Sequence, residues 1–221
     1  MKRVLLLTAL FGLFLVGCQD SNLDPVSPTT GNISISSVPD NTPVTLDKLD
    51  FSSMQLSKWN TLYNRIYDLS IYSVLIKNKI WGSSGGTVSL NPITIVRENG
   101  KTADVSATLT FDKNAISSDT DVYMIIDPDN GSVTFYPDIS QFNNNVKLDV
   151  SIVGADLSDL PNDPSQINFV YVPDDSNADI QVINNDGIFL DGNTGLLGVT
   201  GAHLKHFSRY AWATKNGDGG N

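Results

Sequence analysis

From residue 83 onward, short apolar runs alternate with polar residues and stop at turn-forming residues. Such period-two alternation places successive side chains on opposite faces of a strand, and Gly, Asn, Asp and Pro end strands at turns. Asn130-Gly131, between two alternating runs, is the signature of a two-residue hairpin turn. The pattern predicts an all-β fold, an antiparallel β-sandwich, with a closed barrel as the alternative. The expected strands are 87–96, 104–111, 121–127, 132–136, 146–153, 167–172, 180–184, 187–190, 196–200 and 207–213.

The segment 47–82 is expected to be an extension that packs on the sandwich. Apolar residues between Phe51 and Tyr67 recur at spacings of three to five, which favours a short helix near 50–66. From Tyr72 the alternation predicts a strand with one solvent-facing side, although Leu75 interrupts the polar face. The sandwich itself is expected at 83–214, with a disordered tail at 215–221.

The first eighteen residues have the order of a secretory signal: Lys2 and Arg3, then an apolar run, then a stop at Cys18. The run has about 13 residues, whereas a transmembrane helix needs roughly 20. The sequence Leu15-Val16-Gly17-Cys18 resembles a bacterial lipobox, in which the signal peptide (here 1–17) is removed and the cysteine is acylated. The resemblance implies a lipoprotein anchored to a membrane through Cys18, and Gln19 in the next position favours the outer membrane.

Between the anchor and the sandwich, residues 18–46 predict a disordered tether that begins at the lipidated cysteine. The stretch is rich in Ser, Thr, Asn and Pro and has few large apolar residues, so it cannot bury enough surface to offset its ordering entropy. As a flexible coil it would hold the domain roughly 30 Å from the membrane. A short strand at 33–35 is the alternative for part of it.

Charge and cysteine usage exclude several classes of function. The signal peptide contains Lys2 and Arg3 and no acid, so the mature chain keeps 12 basic and 24 acidic residues, a formal charge of −12. Such a surface disfavours binding to nucleic acid or to anionic lipid. Of the acids 23 are Asp, a residue typical of turns, which agrees with a turn-rich β protein. Cys18 is the only cysteine, so no thiol remains for a disulfide or for nucleophilic catalysis.

Four segments together resemble the ZU-five-type β-sandwich of zonula occludens protein, netrin receptors and ankyrins. They are Gly85-Gly86-Thr87-Val88-Ser89-Leu90, 105–111 with 114–116, 122–126, and His206-Phe207-Ser208-Arg209-Tyr210-Ala211. Asp112 departs from that pattern, which usually has proline there. The resemblance covers about residues 83–213 and implies a protein-interaction module.

The triplet His206-Phe207-Ser208 matches, by the same resemblance, a site of backbone autoproteolysis. That chemistry needs the Ser208 hydroxyl to attack the preceding carbonyl, with His206 as a base and a strained peptide between them. On a strand, His206 and Ser208 would share a face. The alternative is a structural strand in which Phe207 packs inward and the two polar residues face solvent.

No other group of residues predicts catalysis or a cofactor. The two histidines, His203 and His206, are spaced so that a strand would separate them, which disfavours a zinc site. The Asp-rich segments 127–132, 174–177 and 191–193 are expected to be turns, with loose calcium sites as the alternative. Neither a nucleophile elbow nor a phosphate-binding glycine loop is present in the sequence.

The expected function is that of a non-catalytic structural or protein-interaction module in the bacterial cell envelope, without metal or other cofactor. Its expected partners are the membrane, through the lipid, and an envelope protein or glycan. A glycan-binding module is one alternative, because Trp59, Trp81 and Trp212 could supply stacking surfaces. A domain cleaved between Phe207 and Ser208 is the other.

Overall fold

The computed structural model describes residues 33–50, 69–158, 160–173 and 180–215, which form two antiparallel sheets packed face to face. The strands are β1 (Ile33–Ser34), β2 (Val44–Thr45), β3 (Leu49–Asp50), β4 (Val74–Ile80), β5 (Gly86–Val96), β6 (Thr102–Phe111), β7 (Thr120–Asp127), β8 (Ser132–Tyr136), β9 (Val146–Val153), β10 (Ile167–Val172), β11 (Gln181–Val182), β12 (Gly187–Asp191), β13 (Leu196–Leu204) and β14 (Arg209–Thr214). Short 3-10 helices occupy Ile35–Ser37, Leu46–Lys48 and Pro164–Gln166. The all-β sandwich expected from the sequence is confirmed.

One sheet has seven strands in the order β11-β10-β14-β8-β7-β4-β2, and the other has five in the order β12-β13-β9-β6-β5. A separate pair, β1 and β3, is parallel. The main hydrophobic core lies between the two large sheets and includes Val105, Leu109 and Leu148 from one side and Met124 and Phe135 from the other. No helix in the described part of the chain is both long and apolar enough to cross a bilayer.

The five-stranded sheet is buried on one face only. Along β6 and β9, buried apolar residues alternate strictly with half-buried or exposed residues, which are polar except for Val153. Leu109 and Leu148, for example, are fully buried and lie opposite each other across the two strands. The period-two pattern of the sequence therefore translates directly into one core face and one outer face.

The seven-stranded sheet is buried on both faces where β4 and β7 pair. Leu75, Tyr123 and Ile125 point away from the main core and are still buried, because residues of the 33–50 segment pack on them. The apolar side chains that form this cover are Ile35, Val38, Val44, Leu46 and Leu49. We call the whole set the second hydrophobic cluster.

One expectation about this region is wrong, and another is correct only in part. Residues 33–46 were expected to be disordered tether, yet Ile35 and Val38 are each only 1% exposed and β2 pairs with β4. Burying each such side chain contributes about 1.5–3 kcal/mol, which helps to offset the entropy of ordering the segment. The solvent-facing side expected for the strand from Tyr72 is wrong for its first part, because Val74, Leu75 and Ile76 are all buried, but it holds further on, where Lys79 is exposed.

β4 also lies inside the seven-stranded sheet, bonded to β7 along its length and to β2. The sandwich therefore begins before residue 83, because both β4 and the two-residue strand β2 belong to its seven-stranded sheet. The helix expected near 50–66 lies, except for its first residue, outside the described residues.

A β-bulge interrupts β5, where Asn91 and Pro92 lie opposite the single residue Ser106 of β6. The bulge bends the strand and frees Pro92, which has no N–H, from the regular ladder. β5 is an edge strand of the five-stranded sheet, so the bulge lies at the margin of the outer face.

Candidate functional site

Several sequence-predicted features lie outside the described residues. These are Cys18 with the signal peptide, Trp59, the Asp-rich segment 174–177 and all but the first residue of the tail at 215–221. Lipidation and the first part of the tether accordingly remain predictions.

The triplet His206-Phe207-Ser208 lies in a bend before β14, not on a strand as expected. The bend forms because Phe207 turns into the core, where its ring stacks on Phe135 with 5.1 Å between centroids. The His206 ring packs edge-on against Tyr171, with centroids 4.6 Å apart. Within the described residues no hydrogen bond joins His206 to Ser208. The argument that a strand would place both on one face therefore fails, and cleavage at Phe207-Ser208 stays a hypothesis.

The turn that contains Asn130-Gly131 is longer than the two-residue hairpin expected. β7 and β8 pair up to Asp127 and Ser132, so four residues connect them. The reason is the buried Asp127 carboxylate: Oδ1 accepts from the backbone N–H groups of Asp129 and Asn130, and Oδ2 accepts from the Asn130 amide and the Ser70 N–H. This carboxylate caps the turn with four hydrogen bonds supplied by the chain itself.

The turn at 191–193 has the same local character. Asp191 accepts hydrogen bonds from the backbone N–H of Asn193 and the hydroxyl of Thr194, which lower the pKa of its carboxyl. Among the described residues, no group of three or more His, Cys, Asp or Glu side chains is arranged to hold a metal ion.

The tryptophans do not form a paired stacking surface in the described part of the chain. Trp212 is 8% exposed and packs on Phe169 in the core. Trp81 is 52% exposed, but the Lys79 ammonium lies 5.0 Å from its ring centroid. One accessible indole with a cation on it is a weaker platform for a sugar than the sequence predicted.

A cleft of about 480 Å³ brings the two histidines to one place. It lies between the β8–β9 connection, the end of β13 and the chain leading from β11 to β12. Its most frequent lining group is the neutral amide, and Ser140, His203, Lys205 and His206 are its other polar residues; the amides are those of Gln141, Asn143, Asn144, Asn145, Gln181 and Asn184. We call this the amide cleft.

Some of these amide side chains form hydrogen bonds with other residues of the protein, and others have donors and acceptors that a ligand can use. His203 Nδ1 lies 3.0 Å from the Asn145 side-chain oxygen, and the Asn144 amide donates to the Lys113 carbonyl. The side chains of Gln141, Asn143, Gln181 and Asn184 have no hydrogen-bond partner among the described residues. Each can donate and accept at once, which suits reversible recognition of a polar, uncharged group.

A second cleft, of about 620 Å³, lies where Arg97 and Lys101 meet Asp129 and Asp156. Arg97 Nε lies 2.6 Å from Asp129, whose other oxygen accepts from the Ser70 hydroxyl. Hydrogen bonds from Ser158 lower the pKa of Asp156, with smaller contributions from Lys101 and Arg97. Arg97 and Asp129 are thus partnered internally, which gives this cleft a structural role in joining the β5–β6 and β7–β8 turns.

Sequence reasoning missed the amide cleft. Its strongest signal is the run Gln141-Phe142-Asn143-Asn144-Asn145, which reads as an ordinary polar loop. Only the fold brings this loop next to Asn184 and the histidines, which are about 40 to 60 residues further along the chain.

Comparison of the chain with protein-family models, with curated proteins and with solved structures found no match.

Proposed function

We propose that this protein is an exported bacterial lipoprotein, held at the membrane by acyl chains on Cys18, whose β-sandwich is a non-catalytic module that binds another component of the cell envelope. The outer membrane is the proposed location because Gln19 follows the cysteine. The amide cleft carries the binding part of this proposal. Its four amide side chains without a partner among the described residues offer hydrogen-bond donors and acceptors to a polar ligand.

The anchoring is supported by the lipobox-like end of the signal sequence. Replacing Cys18 with Ser should move the protein from the membrane to the soluble fraction after cell breakage, because the acyl attachment is lost. Retention of the Ser variant on membranes, in amounts equal to the parent, would contradict the lipid anchor.

The binding role can be tested by cross-linking in intact cells followed by recovery of the anchored chain. The comparison uses the parent, the double variant Asn143→Ala/Asn184→Ala, and Gln166→Ala as a control at an exposed amide outside the cleft. We expect one specific envelope partner that the double variant loses and the control keeps. Equal recovery with all three chains, or with a chain that lacks the sandwich, would defeat the proposal.

Self-processing at Phe207-Ser208 is testable on the same material. Cleavage would split the purified chain into two fragments in a denaturing gel or mass spectrum, and Ser208→Ala would abolish the split. An intact mass for the parent chain rejects it.

A further inference from the structure

The outer face of the five-stranded sheet contains a groove of about 370 Å³ that the proposed function does not use. One row of cross-strand neighbours runs across it: Phe189 of β12 lies opposite Gly198, Gly198 opposite Ser151, and Ser151 opposite Ser106. The row ends at the bulge of Asn91 and Pro92. At about 4.8 Å per strand, the distance from β12 to β5 is about 19 Å, which suits a chain-like ligand.

The groove has a floor of small residues between two walls. Ser151 and Ser106 form the floor, while the Phe189 ring forms one wall and Pro92 the other, and Gly198 lies between Phe189 and Ser151 in the row of neighbours. A Cβ atom at Gly198 would lie 3.0 Å from the Val150 carbonyl oxygen and 3.7 Å from the Phe189 ring. A side chain at this position would crowd the Val150 carbonyl of the neighbouring strand, whereas its contact with the Phe189 ring would be an ordinary one.

Phe189 is 51% exposed, and in the described part of the chain no aromatic ring or cation packs on its ring. It differs in this respect from Trp81, which is equally exposed but carries the Lys79 ammonium over its ring. A free apolar ring face beside hydroxyl groups is the surface on which the C–H face of a sugar can stack.

The polar lining fits hydroxyl groups and not anions. The side chains of Ser106, Thr108 and Ser151 have no hydrogen-bond partner among the described residues. Asp149 Oδ1 accepts from the Thr200 hydroxyl and the Gly201 N–H, while Oδ2 has no partner within the same residues. Among the described residues, no Lys, Arg or His lines the groove and Asp149 is its single carboxylate, which would repel an anion and accept hydrogen bonds from a neutral diol.

We propose that this groove binds a neutral oligosaccharide, with Phe189 as the stacking residue and Asp149 Oδ2 as the acceptor for sugar hydroxyls. The biological use of such binding rests on the proposed export of the chain, but the binding itself does not.

The test titrates the full chain, solubilised in detergent, with neutral hexasaccharides built from glucose, mannose, xylose and N-acetylglucosamine, and with an anionic hexagalacturonate. We expect at least one neutral oligosaccharide to bind and hexagalacturonate not to bind. Phe189→Ala should weaken the binding about tenfold or more, which corresponds to about 1.4 kcal/mol. Trp81→Ala is the matched control and should leave it within about twofold.

Asp149→Asn supplies a second, conservative variant. Its remaining carbonyl oxygen can keep the bonds from Thr200 and Gly201, while the free acceptor becomes a donor, so we expect weaker glycan binding with an unchanged unfolding midpoint. The inference is overturned if no neutral hexasaccharide binds the parent chain, if Phe189→Ala binds as tightly as Trp81→Ala, or if hexagalacturonate binds best. Because this titration needs no membrane and no protein partner, its outcome is independent of the Cys18→Ser and cross-linking experiments.

Discussion

The outer faces of the two sheets differ in what lies on them. Over β4 and β7 the outer face of the seven-stranded sheet is covered by the 33–50 segment, which forms the second hydrophobic cluster with Leu75, Tyr123 and Ile125. The outer face of the five-stranded sheet carries half-buried and exposed hydroxyl side chains and the ring of Phe189. In a two-layer sandwich, a sheet face that is not covered by the chain remains available for a ligand. Among the described residues, the outer face of the five-stranded sheet is therefore the more accessible of the two to a ligand.

The largest expected loss of stability comes from a substitution on the covered outer face of the seven-stranded sheet. Ile125→Ala should lower the free energy of unfolding by about 2–5 kcal/mol, because Ile125 is 1% exposed within the second hydrophobic cluster. Urea denaturation followed by tryptophan fluorescence measures this. A loss below about 1 kcal/mol would mean that the 33–50 segment does not pack on the sheet as described.

Asp127→Asn should lower the free energy of unfolding by less than Ile125→Ala does. It tests the hydrogen bond that joins Ser70, which precedes β4, to the β7–β8 turn. An amide in place of the carboxylate would meet N–H donors with its own N–H₂ group, and we expect a cost of about 1.5–3 kcal/mol. Asp156→Asn is the control, since that carboxyl lies in an exposed turn. Equal urea midpoints for the two variants would contradict the special role of Asp127.

A residue of the covered face, Tyr123, also predicts that the stability of the fold decreases at alkaline pH. Burial, with a smaller contribution from Asp121, raises the pKa of Tyr123 from 10.0 to about 12. Because the folded-state pKa is above the unfolded value, the stability linked to neutral Tyr123 is complete below pH 10 and is lost as the pH rises towards 12. Stability curves measured from pH 9 to 11.5 should therefore fall less steeply for Tyr123→Phe than for the parent. Parallel slopes would show that the hydroxyl is in contact with water.

The smallest change in stability is expected from a substitution on the outer face of the five-stranded sheet. Ser151→Ala removes a hydroxyl with no hydrogen-bond partner among the described residues and should change the free energy of unfolding by less than about 0.5 kcal/mol. The measurement is the same urea titration used for Ile125→Ala. If the two variants lost similar stability, both sheets would be covered and the contrast between them would disappear.

The contrast explains which parts of the fold could be predicted from the sequence. β6 and β9 were predictable because a sheet with one buried face needs strict alternation, and β9 (Val146–Val153) begins and ends where the pattern placed it. In β4 and β7 the runs Val74-Leu75-Ile76 and Val122 to Ile126 are continuously apolar. Such runs are typical of strands buried on both faces. The identity of the cover could not be predicted, because residues 33–49 resemble a linker when taken alone and are ordered only by packing on the sheet.

The candidate sites were less predictable for a related reason. The amide cleft joins residues 141–145 with 181–184 and 203–206, and the groove joins all five strands of its sheet. Neither has a local motif, since their residues become neighbours only through strand pairing. The residues that did have a motif, His206 to Ser208, instead place Phe207 in the aromatic core.

At high local concentration, β5 is, among the described strands, the one most exposed to pairing with another chain, because it is an eleven-residue edge strand. Pro92 lacks the N–H that a continuous ladder needs, and the bulge shifts the register on its two sides. An incoming strand could therefore pair only over a short stretch before the pattern breaks. The irregularity that forms one wall of the groove also opposes edge-to-edge polymerisation, which would allow many copies to lie side by side as separate molecules.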